Sequence, residues 1–408
     1  MKAVAVIPAR YGSTRLPGKP LLDICGKPLI QRVWEVVARV HGLDEVFVAT
    51  DDERIAEVVR DFGGKALMTS ADCQSGSDRV SEVSKIVDAD VYVNVQGDEP
   101  LLESSNIEKL LNVFTLDDVQ VATLCCHINK EEAMNPNNVK VVLDHIGNAL
   151  YFSRYPLPYI CELNDTMNYL RHIGVYAYRR EILRSFVNLP VSPLEHAEKL
   201  EQLRFIQAGI PISVIKISTI NTGIDTQEDL EKVREVFIKR KKYEAIERLK
   251  SVKLIVTDVD GILTDGSLYY GQDGEIFKRF NARDGLGVKL LQSIGINVAI
   301  ISGRDCIALR KRIEELKITE AVLGQLDKCT ALVKIMKQYG VTSKEVAFIG
   351  DDIPDVKAFC LCSVSITVKD APKYVREKAD IVIQKDGGCG AFRDVVDLII
   401  NNKTNKYF

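Results

Sequence analysis

The sequence predicts an α/β protein built from two doubly wound domains, and three observations lead there. A short apolar run near residue 3, AVAVIPAR, breaks into the basic loop RYGSTRLPGKP, and a second run near residue 253, KLIVTDVDG, breaks into a loop crowded with carboxylates. After each of these starts, strand-like and helix-like segments alternate, as β-α-β units around a mostly parallel sheet do. The chain has 408 residues, enough for two domains with full cores. Open sheets of this kind collect ligands outside the C-terminal ends of their strands. Each broken apolar run therefore marks a candidate site: a basic one suited to phosphates, and an acidic one suited to a metal ion and phosphoryl transfer.

In the first half, VAVIP leads to a helix beginning near Pro28 (PLIQRVWEVVARV), where the missing N–H of proline costs nothing. EVFVAT is a strand, DDERIAEVVRDFG a helix, VYVNVQGDEP a strand ending on carboxylates and SSNIEKLLNVF a helix. From about 120 to 220 the pattern is less regular; KVVLD, ALYFSR and HIGVYAYR read as strands of a second sheet layer. Residues 227–250 are highly charged with a helical pattern, and the run KRKK at 239–242 reads as a solvated helix face. This looks like a connecting helix, which divides the chain into domains 1–245 and 246–408. The second half alternates again: LIVTDVD, a helix through LGVKLLQSIG, NVAIISGR, a helix through IALRKRIEELK, then EVAFIGDD and later strands.

The formal net charge of −3 gives no general reason to expect nucleic acid or membrane binding. No stretch approaches the roughly 20 apolar residues of a membrane span, and no signal peptide is read at the N-terminus. The ten cysteines are scattered without a C-x-x-C pair or zinc-site spacing, which fits reduced thiols in a cytoplasmic enzyme.

The loop RYGSTRLPGKP sets Arg10, Arg15 and Lys19 close together, and glycines at 12 and 18 let the backbone approach an anion. It is not a Walker A loop: five residues separate Gly12 from Gly18, and Pro20 stands where Ser or Thr would hold magnesium. On the loop alone, a basic surface turn fits equally well. Asp98, at the end of VNVQGDEP, supplies a carboxylate of the kind that holds a metal ion on phosphate oxygens, and Asp225 in NTGID is a plausible second ligand. Their plain alternatives are an Asp-Glu-Pro turn and a helix cap.

RYGSTRLPGKPLLDICGKPLI, QGDEP, NPNNVKVVLD, ALYFSR, RHIGVY, PLEHAEKLEQLR and NTGIDTQEDL together resemble the 3-deoxy-manno-octulosonate (Kdo) cytidylyltransferases over about the first 240 residues. The resemblance implies a Rossmann-like, glycosyltransferase-A-like nucleotidyltransferase domain that joins Kdo to CMP from CTP and releases pyrophosphate. It implies that Arg10, Arg15 and Lys19 bind the triphosphate, Arg10 and Lys19 also serving catalysis, and that Asp98 and Asp225 hold Mg2+. Gln96, Arg154, His172 and Glu201 would line the sugar-acid site; apart from its place in RHIGVY, His172 reads as a structural histidine. In DCQSGSDR, the segment that helps recognise cytosine, Gln74, Ser75 and Arg79 match the family pattern. Cys73 stands where the family usually has His, and Ser77 where Thr is usual.

In the second half, Asp258 and Asp260 sit two apart at a strand end, which points both side chains the same way. Phosphate monoesters are among the slowest biological bonds to hydrolyse, needing accelerations up to ~10²¹-fold, and a covalent aspartyl phosphate splits that step in two. The scheme needs a nucleophile (Asp258), an acid/base (Asp260), a hydroxyl donor (Ser302 in IISGR), a cation (Lys328 in GQLDK) and a metal site completed by Asp351 and Asp352 in IGDDIPD. Each alone is weak, since D-x-D and G-D-D also occur in ordinary loops. All four motifs in order, each after an apolar strand, resemble the haloacid dehalogenase-like (HAD-like) phosphatases over about residues 252–400.

DVDGILTDGSLYY, GEIFKRFNARDGLGVKLL, GQLDK and GGCGAFRDV resemble specifically the Kdo 8-phosphate phosphatases. Asp265 and Arg283 lie too close in sequence for a large cap domain, so the resemblance implies a cap-less HAD-like Rossmannoid domain whose metal ligands are Asp258, Asp260, Asp351 and Asp352. Cap-less relatives are typically tetramers, in which Arg393 and its GGCGAFR segment would reach a neighbour's site. Arg283 in NARDG would contact the sugar acid's carboxylate or phosphate, and the RDG form favours Kdo over nine-carbon sugars. The resemblances imply a bifunctional, Mg2+-dependent enzyme with CTP, Kdo and Kdo 8-phosphate as substrates, acting as a homo-oligomer. Two alternatives remain: action on another 2-keto sugar acid (an amino-Kdo or a nonulosonate), or one half serving only as an oligomerising module.

Overall fold

Every residue of the strand Ala3–Ala9 (β1) except Pro8 is buried, because the sheet it opens is covered on both faces. Ala3, Ala5 and Ile7 join the core on one side, with Leu29, Val33 and Ile107, while Val4 and Val6 join Val80, Tyr92 and Phe152 on the other. This period of two within a continuous apolar run is what a central strand requires. The computed structural model describes residues 1–12, 16–73, 75–161, 168–186, 188–218, 223–272 and 274–404. They form two units, Met1–Phe237 and Ile238–Phe408. Arg15 and Gln74 lie outside the described residues.

The other strands of the first unit are Glu45–Thr50 (β2), Lys65–Met68 (β3), Val91–Asn94 (β4), Val121–Ile128 (β5), Lys140–Leu143 (β6), Ala149–Ser153 (β7), Tyr169–Arg179 (β8) and Ile212–Ile217 (β9). Among the described residues these nine strands make one sheet, with the order β3-β2-β1-β4-β8-β5-β9 and with β6 and β7 branching from β8. From β3 to β4 the sheet is parallel; β8 runs antiparallel to both neighbours. The irregular stretch therefore does not form the expected second layer. Its 11-residue strand β8 is long enough to pair with β4 at one end and with all of β5. Both faces of β8 are also apolar: Val175 and Ala177 enter one core, Tyr176 and Tyr178 the other.

The second unit holds a parallel sheet of Leu254–Thr257 (β10), Asn297–Ile301 (β13), Glu320–Val322 (β14), Val346–Ile349 (β15), Val364–Thr367 (β16) and Ile381–Val382 (β17), in the order β14-β13-β10-β15-β16-β17. A separate hairpin pairs Tyr269–Gly271 (β11) with Gly274–Phe277 (β12). The helix Gln227–Arg248 contains the division between the units. Lys241 of its KRKK run is committed within the second unit, donating to the Ala379 carbonyl at 3.0 Å, while Lys239, Arg240 and Lys242 are exposed as a solvated face requires. No described helix is long and apolar enough to cross a membrane.

Ile255 lies fully buried at the centre of the second sheet. Ile255→Ala should lower that unit's stability by ~2–5 kcal/mol, read as an earlier midpoint in chemical denaturation. A loss under ~1 kcal/mol would contradict the packing described for this strand.

Candidate active sites

In the first unit, β1 delivers exposed Arg10, and the chain turns back where the Gly18 N–H donates to the Tyr11 carbonyl at 3.1 Å. Tyr11 is covered by the Arg54 guanidinium, 3.4 Å from its ring centre. A single 3-10 turn, Lys19–Leu21, follows and presents the Lys19 ammonium, which donates to Asp98 Oδ2 at 2.6 Å and Asp225 Oδ1 at 3.4 Å. The Ile224 N–H donates to the Asp98 carbonyl at 2.9 Å, tying the Asp225 segment to the loop after β4. Asp225 is not the cap of the following helix: Thr226 Oγ1 accepts the Asp229 N–H at 3.2 Å. Its carboxylate thus faces Lys19 beside Asp98, and the neighbouring Glu99 is pushed up to about 8, first by burial and then by the charge of Asp98. Two carboxylates meeting beside a basic loop are the hard oxygen donors that suit Mg2+.

Ser75 caps the helix Gly76–Ile86, its Oγ accepting the Asp78 N–H at 3.2 Å. Arg79 is buried and already committed, donating to Asp51 at 2.7 Å and to Thr69 Oγ1 at 2.6 Å. The Cys73 thiol is pushed up to about 11 by burial and then by Glu82, so it stays protonated. Ser77 shares a hydrogen bond of 3.2 Å with the Tyr178 hydroxyl.

Beyond these, Gln96 Nε2 donates to Asn94 Oδ1 at 3.4 Å. His172 Nε2 lies 3.0 Å from Thr123 Oγ1, with its ring against Phe152 and Tyr176. Burial, and then Arg171, holds its pKa down to about 3. Burial likewise raises the pKa of Glu201, which borders Ser75 and Ser77. The Arg154 guanidinium donates to the carbonyls of Glu198 (2.8 Å) and Pro136 (3.1 Å). Asn94 and Tyr176 are partners across β4 and β8. Among the described residues, Asn94 Nδ2, the Tyr176 hydroxyl and Glu201 Oε2 are buried without a hydrogen-bond partner. Buried polar groups of this kind are ordinarily satisfied, so the region fits a ligand rich in hydroxyls. The sequence reading missed Asn94 and Tyr176; Asn94, polar at the end of the apolar run VYVN, was the available signal.

In the second unit, Asp258 directly follows β10, and Lys328 binds Asp258 Oδ2 and Asp355 Oδ1, each at 2.5 Å. Asp258, Asp351 and Asp355 each offer an oxygen within 4.8 Å of the others, a set that fits a divalent cation. Asp258 is raised to about 6 and Asp351 to about 8, in both cases chiefly by burial and then by neighbouring carboxylates. Asp355 was missed by sequence. It sits in the first turn of the helix Ile353–Phe359, where its Oδ2 accepts the N–H groups of Asp351 and Asp352, both at 3.1 Å. Asp352 caps that helix, its Oδ1 accepting the Ile353 N–H at 2.7 Å.

The Asp260 carboxylate belongs to a different cluster, with Lys278 at 2.5 Å and Arg304 at 3.7 Å; Lys278 was also missed. Ser302, buried after β13, accepts the Arg304 N–H at 3.1 Å and keeps its own proton to donate. Arg283 is exposed at the start of the helix Ala282–Ser293. The Arg393 N–H donates to buried Asp284 at 2.8 Å, and its Nε pairs with Asp397 at 2.7 Å. The late glycines press on the loop that follows Asp258. A Cβ on Gly387 would lie 1.9 Å from the Gly261 carbonyl, and the Gly388 N–H donates to the Ile262 carbonyl at 3.0 Å.

Residues 4–217 match the family model for cytidylyltransferases, and residues 320–390 that for haloacid dehalogenase-like hydrolases. The 3-deoxy-manno-octulosonate cytidylyltransferase of Escherichia coli is 52% identical over 234 residues, covering 57% of this chain and 95% of the relative. A solved CMP:2-keto-3-deoxy-manno-octonic acid synthetase complexed with CTP is 51% identical over 59% of this chain and 100% of that chain, with a TM-score of 0.57. The cobalt-bound deoxy-D-mannose-octulosonate 8-phosphate phosphatase of Haemophilus influenzae is 48% identical over 38% of this chain and 91% of that chain, with a TM-score of 0.38.

Two outcomes follow from the geometry. Gly387→Ala should displace the loop after Asp258 and lower phosphate-ester hydrolysis by roughly 10²-fold; wild-type turnover would show that this contact does not set the loop. Because His172 falls from its usual 6.5 to about 3, only the unfolded chain takes up its proton in between. The stability carried by the neutral ring is complete above 6.5 and is lost as the pH falls toward 3. His172→Gln should therefore flatten the pH dependence of the first unit's denaturation midpoint between about pH 7 and 5, whereas an unaltered slope would refute the burial argument. On the matches given, the chain belongs to the cytidylyltransferase family, and it continues beyond that domain into a region whose residues 320–390 match haloacid dehalogenase-like hydrolases.

Proposed function

We propose that the chain is a bifunctional enzyme of lipopolysaccharide precursor synthesis. Residues 246–408 hydrolyse Kdo 8-phosphate to Kdo and phosphate, and residues 1–245 join that Kdo to CMP from CTP, releasing pyrophosphate. The observation that carries the reading is that each unit gathers, at the C-terminal edge of its sheet, the carboxylates and lysine its reaction needs. Metabolic order then runs backwards along the polypeptide, since the later domain supplies the substrate of the earlier one.

In the phosphatase, Asp258 attacks phosphorus and the sugar oxygen leaves with a proton from Asp260, giving an aspartyl phosphate. Water then attacks phosphorus, losing its proton to Asp260, and the Asp258 carboxylate is regenerated. Lys328 and the Ser302 hydroxyl face the phosphoryl oxygens. Mg2+ would be held by Asp258 and Asp351, with Asp355 placed to join them, and would supply charge neutralisation to the transferring group. Asp352 serves by capping the helix that carries Asp355, and Asp260 is held apart from that cluster by its own partners, Lys278 and Arg304. Arg283 recognises the sugar acid. Assembly of copies through this cap-less unit, bringing in the Arg393 segment, fits the exposed Tyr270, Ile276 and Phe277 of the β11–β12 hairpin.

In the transferase, the sugar-acid hydroxyl attacks the α-phosphorus of CTP with loss of its proton, and the bond to pyrophosphate breaks. Arg10, Arg15 and Lys19 carry the charge that grows on the leaving group, and Asp98 and Asp225 would hold Mg2+. Gln74, Ser75 and Arg79 shape the nucleotide side, where Arg79 acts by fixing the segment between Asp51 and Thr69. Gln96, Arg154 and Glu201 face the sugar acid. His172, held neutral, orients rather than titrates.

Incubation with Kdo 8-phosphate, CTP and Mg2+ should release phosphate and pyrophosphate as separate products. Asp258→Asn should abolish phosphate release and leave CMP transfer to added Kdo intact, while Asp98→Ala should do the converse. Phosphate release surviving Asp258→Asn, or CMP transfer surviving Asp98→Ala, would disprove the corresponding assignment.

A further inference from the structure

The Lys140 side chain in β6 is completely buried, and among the described residues no carboxylate makes a direct ion pair with it, the Glu198 charge acting only through space. Its ammonium donates to two backbone carbonyls, that of Asn135 at 3.3 Å and that of Arg154. Burying an ammonium that forms no direct ion pair costs several kcal/mol, only partly offset by the nearby Glu198 charge, so an apolar residue there would be the cheaper choice for folding alone. The neighbouring strand position, Val141, is filled in that way. Lys140 sits at a junction: it is the register partner of Ser153 in β7 and of Arg171 in β8.

What it holds is Arg154. Lys140 takes the Arg154 carbonyl. The Glu198 carboxylate accepts the Arg154 N–H at 2.9 Å and the Ser153 hydroxyl at 2.6 Å. The Glu198 carbonyl accepts Arg154 Nε at 2.8 Å, and the Pro136 carbonyl accepts Nη1 at 3.1 Å. Backbone and guanidinium are thus fixed from separate segments, while Nη2 carries no hydrogen bond among the described residues. An arginine braced at Nε and Nη1 with Nη2 left over is set to receive an anion in one orientation.

We propose that Lys140 and Glu198 are positioning residues, which touch no substrate but hold the Arg154 guanidinium in place for the carboxylate of the sugar acid. The proposal rests on the assignment of Arg154 to the sugar-acid site. Full-length variants are assayed for CMP transfer, with Kdo varied at saturating CTP and the reverse, and with phosphate release as the control for the second unit. Lys140→Met should raise KM for Kdo at least roughly tenfold and leave KM for CTP within about twofold. Combined with Arg154→Ala it should add nothing to the defect of Arg154→Ala alone, because the lysine acts only through that arginine. Glu198→Gln, which keeps its shape but loses one acceptor, should show the same split and decides the matter if Lys140→Met does not fold. Normal KM for Kdo in the Lys140 or Glu198 variant, or additive defects in the double variant, would overturn the clamp while leaving Arg154 in the sugar site. A wild-type KM for Kdo in Arg154→Ala would instead overturn the assignment on which the clamp rests.

Discussion

In each unit one lysine ammonium holds together carboxylates that arrive from distant parts of the chain. Lys19 meets Asp98 and Asp225; Lys328 meets Asp258 and Asp355. Two like charges about 4 Å apart repel by ~4 kcal/mol at the effective dielectric typical of a protein surface, and a cation between the members of each group offsets that repulsion. Lys328 leaves only 5% of its side chain exposed, against 13% for Lys19. The second cluster is the drier one, and there the carboxyl values of Asp258 and Asp351 rise under burial and mutual repulsion. A divalent cation suits such a site because it relieves a charge excess that the fold has already assembled.

The sheets make this assembly possible. Parallel strands buried on both faces form rigid rows whose C-terminal ends release loops side by side. β1 and β4 are neighbours in the first sheet, and β10 lies between β13 and β15 in the second, so residues far apart in sequence reach one edge. Backbone contacts refine the placement. The Ile224 N–H anchors the Asp225 segment on Asp98, and the late glycines seat against the loop that follows Asp258.

What was legible in the sequence follows from this geometry. Asp98, Asp258 and Asp351 each stand just past an apolar run, where hydrophobic patterning announces a strand and the polar break announces its edge. Asp355 and Lys278 carry no such mark: one lies in the first turn of a helix and the other just beyond a hairpin, and each acquires its role through a contact made at a distance. Arg79 shows the converse. Its motif pointed to the nucleotide, yet its guanidinium is spent on Asp51 and Thr69, and only the folded arrangement reveals that commitment. The strands expected in a second layer joined the first sheet because the length of β8 and its two apolar faces let it serve two neighbours.

The sequence by itself determined the α/β class, the start of each catalytic half and the sign of charge at each sheet edge, because apolar period and charge are local properties of the chain. Only the tertiary structure decided which carboxylates share a cation, which arginine is committed to the scaffold, and which buried lysine braces another residue. Those outcomes depend on distances through space between segments such as Lys19 and Asp225, 206 residues apart, and no local pattern encodes them.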